Sequence, residues 1–76
     1  MSEQKHLQFR LKELIARHER VTGERVTYRA LAEATALSPG TITAIANNQN
    51  DRVALHTIER LLDYFGCDVG DLVVYE

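Results

Sequence analysis

The segment that decides the fold runs from Thr27 to Asn48 and reads TYRALAEATALSPGTITAIANN. It divides into two short stretches with helical apolar spacing, separated by Ala36-Leu37. Thr27 and Ser38 are suited to be N-caps, because a hydroxyl can accept a hydrogen bond from an unpaired amide of the first helical turn. Pro39 fits the first helical position, where a missing N–H costs nothing. The segment therefore predicts two helices joined by a tight turn.

The buried sides of these two helices follow from helical periodicity. The residues expected to face the core are Tyr28, Leu31 and Ala32 in the first helix and Ile42, Ile45 and Ala46 in the second. The polar run from Asn47 to Asp51 then predicts a loop, because it offers no apolar side to bury.

The sequence before this segment predicts a short strand followed by a helix. Leu7, Phe9 and Leu11 alternate along the chain, which indicates an extended segment. From Leu11 onward the spacing is helical, and Gly23 is suited to end that helix because glycine tolerates a left-handed backbone. The helical stripe consists of Leu11, Leu14, Ile15, His18 and Val21.

The sequence after the segment predicts two more helices and a second strand. Gly66 is suited to close a helix whose apolar stripe consists of Leu55, Ile58, Leu61, Leu62 and Phe65. Asp68 and Asp71 form a capping-box pattern for a short helix over residues 69–72. The stretch Leu72–Tyr75 is β-branched and aromatic and predicts a strand. The two terminal strands can pair with each other or across a dimer, since an exposed strand edge favours pairing.

Length and composition restrict the class of protein. A chain of 76 residues holds one domain, and its 45% apolar and 26% charged content is that of a globular protein. No apolar stretch approaches the ~20 residues needed to cross a bilayer. The first ten residues, MSEQKHLQFR, lack the apolar run of a secretory signal, and a single cysteine fits a reducing compartment. We therefore expect a cytoplasmic protein.

The charge distribution bears on possible partners. The net charge is −2, which is unfavourable for binding nucleic acid, since affinity for DNA comes largely from Lys and Arg. The imbalance lies at the C-terminal end, because residues 54–76 carry one basic and five acidic side chains. Residues 24–53 carry three of each sign, so the predicted helix pair is not itself acidic.

Taken in order, the motifs resemble the Cro/CI-type (XRE-like) helix-turn-helix family of bacterial and phage regulators, particularly its short variety with a strand at each end. The matching stretches are FRLKELI at 9–15, TYRALAEATALSPGTIT at 27–43, ANN at 46–48, RVALHTIERLLDYFG at 52–66 and CDVGDLVVYE at 67–76. The resemblance implies a single all-α domain over residues 1–76. This would be a five-helix, lambda-repressor-like DNA-binding domain with short terminal β-strands, whose third helix, Ser38–Asn48, contacts the bases.

The sequence departs from the family pattern at three positions. Ala36 stands where glycine is frequent in the turn, which predicts a slightly tighter or more helical turn. Ala54 stands where a Ser or Asp N-cap is common, so the fourth helix is expected to fray. Val69 replaces a frequent proline near the last helix.

The outward positions of the third helix are predicted to contact DNA. Thr43 and Ala44 suit a thymine methyl, Asn47 suits a base edge or a phosphate, and Gly40 permits close approach of the backbone. Arg52 is expected to bind phosphate. The complete predicted DNA-binding set is Thr27, Tyr28, Arg29, Ser38, Pro39, Gly40, Thr41, Thr43, Ala44, Asn47, Asn48 and Arg52.

Several of these residues have a second interpretation. Thr27, Tyr28 and Ser38 lie at helix N-termini, whose free amides favour phosphate, yet Tyr28 is equally suited to be a core ring with its hydroxyl at the surface. Arg29 can contact phosphate or pair with Glu33 one turn later. The basic side chains of the first helix, Arg10, Lys12 and Arg17, are predicted to form a solvated face.

The predicted function is sequence-specific binding of double-stranded DNA by a homodimeric transcription regulator, with repression as the expected outcome. No catalytic residue, metal site, cofactor or small-molecule ligand is predicted. The candidate metal ligands His6, His18, His56 and Cys67 lack metal-ligand spacing. We expect His18 to be a partly buried packing residue and Cys67 to be a small core residue. The alternative is a protein-interaction module, antitoxin-like or a phage accessory partner, which the acidic charge and small side chains of the third helix favour.

Overall fold

The computed structural model describes residues 4–49 and 52–76. The elements of these residues are β1 (Leu7–Phe9), α1 (Leu11–Thr22), α2 (Tyr28–Thr35), α3 (Pro39–Ala46), α4 (Leu55–Phe65), α5 (Val69–Leu72) and β2 (Val73–Tyr75). The predicted order of five helices between two strands is confirmed. The predicted third helix, Ser38–Asn48, is shorter in the structure, where Ser38 is the N-cap and Asn47 the C-cap. The predicted loop begins at Asn47, and Asn50 and Asp51 lie outside the described residues.

The two terminal strands pair with each other within one chain. They run antiparallel, with Leu7 opposite Tyr75 and Phe9 opposite Val73. Of the two pairings that the sequence leaves open, the structure therefore contains the intramolecular one. The sheet brings the start of α1 beside the end of α5, which closes the domain.

The helix N-caps are those that the sequence predicts. The hydroxyl of Thr27 accepts a hydrogen bond from the Ala30 N–H at 3.0 Å. The Asp71 carboxylate accepts one from the Asp68 N–H at 3.2 Å, as the predicted capping box requires. Ala54 provides no side-chain cap for α4. The first four amides of a helix have no backbone partner within it, so the side chain at the N-cap helps to fix where each of these helices begins.

The helix C-termini contain one departure from expectation. Gly23 and Gly66 end α1 and α4 in the left-handed conformation, with φ of 73° and 63°. Ala36 ends α2 in the same conformation, with φ 60° and ψ 32°. The expectation of a tighter or more helical turn at Ala36 is therefore wrong. The turn has the geometry that glycine would give it, and alanine adopts that geometry under strain.

The core lies where α1, α2, α3, α4 and α5 meet. Its buried apolar side chains are Leu11, Leu14, Ile15, Leu31, Ala32, Ile42, Ile45, Ala46, Leu61 and Leu72. The predicted burial of two stripe residues is wrong, because Val21 is 79% exposed and Leu55 is 77% exposed. Both lie in the terminal turn of their helix, where the stripe runs past the neighbouring elements. Thr57 is buried on α4 instead.

Candidate nucleic-acid interface

The outer side of α3, continued by its C-cap residue Asn47, is a narrow stripe of small side chains. Gly40, Thr43 and Asn47 are exposed, and Ala44 beside them is half-buried. The inner side of the helix buries Ile42, Ile45 and Ala46 in the core. The helix is therefore held by its apolar side, and its small, uncharged side remains free to contact a partner.

The N-terminus of α3 is fixed by a compact hydroxyl pair. The Ser38 hydroxyl oxygen accepts a hydrogen bond from the Thr41 N–H at 3.1 Å and lies 2.8 Å from the Thr41 hydroxyl. Pro39 occupies the first turn, where its lack of an N–H leaves no unpaired donor. Ser38, Pro39 and Gly40 are exposed, and Thr41 is half-buried. This end of α3 is thus rigid and accessible.

The N-terminus of α2 combines a cap with an aromatic ring. Thr27 and Arg29 are exposed, whereas Tyr28 is half-buried and packs against the core. The structure therefore supports the core interpretation of the Tyr28 ring. Arg29 forms no ion pair with Glu33 within the described residues. Of the two predicted roles of Arg29, the intrahelical pair is absent from the structure.

Asn48 joins the end of α3 to the first strand. Its side-chain oxygen accepts a hydrogen bond from the Phe9 N–H at 2.6 Å, and its amide nitrogen donates to the Phe9 carbonyl at 3.2 Å. Asn48 also adopts a left-handed backbone, with φ of 54°. Both ends of the amide are therefore engaged in fixing β1, a role that sequence reasoning missed because the two residues are 39 positions apart.

Arg52 lies exposed directly after the two residues that the structure does not describe, in the segment that leads to α4. It is not a member of any ion pair within residues 4–49 and 52–76. Arg52 is thus an accessible cation that follows α3 by six positions in the sequence, and its phosphate contact stays a prediction.

Comparison with known families agrees with this geometry. The family model described as Cro/C1-type HTH DNA-binding domain matches residues 10–76. The chain belongs to this family. No curated protein and no solved structure matched the chain. In the Cro/C1-type domain, α2 and α3 are the helix-turn-helix, and the chain carries the DNA-binding unit of a regulator.

The cations of α1 in this Cro/C1-type domain are partly engaged in ion pairs. Arg10 precedes the helix and bridges Glu13, at 3.0 Å, and Glu76. The prediction that Arg10 belongs to a solvated helical face is therefore wrong, because long-range pairing with the chain end holds it. Its hydrogen bond keeps the pKa of Glu13 below the ordinary value. A guanidinium nitrogen of Arg17 lies 4.0 Å from a carboxylate oxygen of Asp71. Lys12 is exposed.

Two of the four candidate metal ligands of the Cro/C1-type domain, His18 and Cys67, have packing roles, whereas His6 and His56 are exposed. The His18 ring lies 5.4 Å from the Tyr64 ring and 5.6 Å from the Phe65 ring, in a half-buried aromatic cluster. Cys67 is half-buried against the core, and burial, followed by the nearby Asp71 carboxylate, raises the pKa of its thiol. The predicted packing roles of both residues are confirmed. Within the described residues, no three His, Cys, Asp or Glu side chains converge as a metal site would need.

The described part of the Cro/C1-type domain contains no helix with the length and apolar content needed to span a membrane.

Proposed function

We propose that the protein is a sequence-specific transcription regulator, acting as a repressor, that inserts segment 38–48 into the major groove of double-stranded DNA. The observation that carries the proposal is the exposed stripe formed by Gly40 and Thr43 on the second helix of a helix-turn-helix and by Asn47 at its C-cap. In such units the second helix enters the major groove while the first crosses the phosphate backbone.

The phosphate contacts are assigned to helix N-termini and two arginines. The Tyr28 and Arg29 amides of α2 and the Gly40 amide of α3 are the first-turn amides that the Thr27 and Ser38 caps leave available, and such amides favour anions. Thr27, Ser38 and Pro39 set the position of these amides, while Arg29 and Arg52 supply positive charge. Asn48 supports the interface from behind by fixing the end of α3 to β1.

The small size of the domain favours a homodimer. A single module of this kind buries roughly 600–1,000 Å² on DNA, which is at the low end for specific sites. Two copies on a two-fold symmetric site, with half-sites about 10 bp apart, would double the contacts.

The free edge of β2 is self-complementary in the way that such a dimer needs. His6 and Glu76 form a hydrogen-bonded pair, in which the N–H of each donates to the carbonyl of the other. In an antiparallel ladder such pairs alternate with pairs that are not hydrogen-bonded to each other. The backbone groups of Val73 and Tyr75 therefore point away from β1. The Val73 N–H is already bonded to the Val69 carbonyl. The Tyr75 N–H and the Val73 carbonyl are therefore the donor and acceptor that two antiparallel β2 strands would exchange. The matching edge of β1 is covered at Phe9 by the Asn48 amide.

The test of DNA binding is an electrophoretic shift against random duplex DNA over a range of salt concentrations. Arg52→Ala is expected to weaken binding to all sequences and to reduce the salt dependence by about one charge per copy. Lys12→Ala, an exposed cation of α1, is the matched control and should leave both unchanged. If Arg52→Ala and wild type have equal affinity and equal salt dependence, Arg52 is not a phosphate contact.

Gly40→Ala separates folding from binding. A Cβ at Gly40 would meet only the Ser38 hydroxyl, at 4.0 Å, so the fold accepts it. Alanine is the better helix former by roughly 0.8–1.0 kcal/mol, so thermal stability should rise. DNA affinity should fall, because the added methyl occupies the space that close backbone approach requires. A variant that is more stable and binds DNA equally well would place Gly40 outside the contact.

The dimer is tested by Tyr75→Pro, which removes the outward N–H without breaking the pairing with β1. Sedimentation should show a monomer and the shift assay a weaker complex. Tyr75→Val, which keeps the N–H, is the control and should remain dimeric. An unchanged dimer in Tyr75→Pro would mean that the copies meet elsewhere.

The acidic net charge and the small side chains of α3 favour one rival function, a protein-interaction module on the same fold. Electrostatic binding to DNA is strongest at low salt. Failure to bind random DNA at about 50 mM salt would therefore support the interaction module, with an antitoxin-like or phage accessory role.

A further inference from the structure

The recognition helix lies in a long uncharged stretch. From Ala34 to Asn50 the sequence contains no Lys, Arg, Asp or Glu. The exposed side of α3 therefore lacks the guanidinium and ammonium groups that most often select guanine through its O6 and N7 atoms. Asn47 is the one side chain of the stripe that carries both an amide donor and an amide acceptor.

The remaining outward side chains of α3 present methyl groups. Thr43 is exposed and carries one methyl and one hydroxyl, and Ala44 is half-buried and carries one methyl. Thr41 does not belong to this set, because its hydroxyl lies 2.8 Å from that of Ser38 within the cap. In the major groove, the apolar feature that distinguishes thymine is its C5-methyl group.

We propose that α3 selects DNA through contact of Thr43 and Ala44 with C5-methyl groups, so that it recognises thymine and accepts 5-methylcytosine at the same positions. This inference rests on the proposed function. The equivalence of the two bases follows from the side chains. A threonine hydroxyl can either donate or accept a hydrogen bond, and an alanine does neither. Neither residue therefore distinguishes the O4 acceptor of thymine from the N4 donor of cytosine, and the methyl group alone is selected.

The experiment begins with selection from a random duplex pool to obtain a bound site. Each thymine of that duplex is then replaced singly by deoxyuridine, which removes the methyl and keeps the base-pairing groups. Wild-type protein should lose about fourfold in affinity at one or more positions in each half-site, the loss that corresponds to about 0.8 kcal/mol per buried methylene. At those positions a 5-methylcytosine–guanine pair should bind within about twofold of thymine–adenine, and unmethylated cytosine should bind as weakly as uracil.

Two variants of Thr43 separate its methyl group from its hydroxyl. Thr43→Ser keeps the hydroxyl and removes the methyl, so it should bind the thymine duplex about fourfold more weakly and show no further loss with uracil at one of the sensitive positions, while a position contacted by Ala44 stays sensitive. Thr43→Val keeps methyl groups and removes the hydroxyl, so it should retain uracil sensitivity. Because Thr43 is exposed, both variants should unfold near the wild-type temperature, and this is measured alongside.

Two results would overturn the inference. One is a duplex that binds specifically and is insensitive to uracil at every position. The other is the reverse variant pattern, in which Thr43→Ser keeps uracil sensitivity at every sensitive position and Thr43→Val loses it at one of them, which would assign selection to the hydroxyl. Absence of any DNA binding at about 50 mM salt would instead refute the proposed function itself, so the two failures are distinguishable.

Discussion

Ala36→Gly tests whether the turn of the helix-turn-helix is strained. Ala36 has φ 60° and ψ 32°, a conformation that costs an L-amino acid about 1–2 kcal/mol. Glycine adopts it freely but loses about 0.4–1 kcal/mol through its greater freedom in the unfolded chain. The difference is about 0–1.6 kcal/mol, and the middle of both ranges predicts a gain of about 0.8 kcal/mol in the free energy of unfolding.

The structure indicates that little else changes in this variant. Ala36 is exposed, so removing its methyl leaves no cavity in the core. Its carbonyl accepts a hydrogen bond from the Arg60 guanidinium at 3.2 Å, and glycine keeps that carbonyl. The backbone N–H that bonds back to Ala32 and Glu33 is also kept.

The assay is thermal unfolding followed by circular dichroism, in which the midpoint should rise by about 3–6 °C for a domain of this size. The matched control is Ala16→Gly, an exposed position inside α1. There glycine should lower stability by about 1 kcal/mol, because the backbone is helical and alanine is the better helix former. If both variants lose stability by similar amounts, Ala36 is not strained and the reasoning fails.

Three further predictions concern the edges of the interface and the core. Asn48→Ala should lower the free energy of unfolding, measured by denaturant titration, by about 1–3 kcal/mol, because it removes two hydrogen bonds to β1. The control Asn47→Ala should leave stability unchanged and reduce DNA affinity. Ala54→Ser should raise stability by about 0.5–2 kcal/mol by capping α4, and no gain would mean that the terminal amides are already satisfied. The thiol of Cys67, whose pKa is raised by burial and by Asp71, should react with iodoacetamide more slowly in the folded chain than in denaturant at pH 8, and an equal rate would contradict its packing.

The elements that the sequence predicts correctly are those determined within a few residues. The helix caps are such elements, because each is a hydrogen bond between residues three positions apart. They are the caps at Thr27 and Ser38 and the Asp68–Asp71 capping box. Helical periodicity likewise identifies the buried side of α3, and with it the outward positions of the candidate site. Local chemistry therefore suffices for the order of helices and for the composition of the recognition surface.

The features that sequence reasoning missed depend on contacts between distant residues. The Asn48 amide bonds to Phe9, 39 positions away, and the Arg10 guanidinium pairs with Glu76, 66 positions away. Neither contact has a local signal, because each joins residues that only the folded chain brings together. The exposure of Val21 has the same origin, since periodicity gives the side of a helix but not how far its neighbours extend along it.

The proposed interface also predicts how DNA affinity depends on salt. Segment 38–48 has no charge, and the assigned cations are Arg29 and Arg52, so a dimer would neutralise about four phosphates. The slope of log K against log salt concentration should then be about −3.6, and affinity should fall roughly 150-fold between 50 and 200 mM salt. Contacts from backbone amides add affinity without adding to this slope, since they bring no cation. Titration of wild type beside Tyr75→Pro should give a slope half as steep for the monomer. A wild-type slope steeper than about −6 would mean that the cations of α1 also reach the phosphates, and the division of the interface into two arginines and an uncharged helix would be wrong.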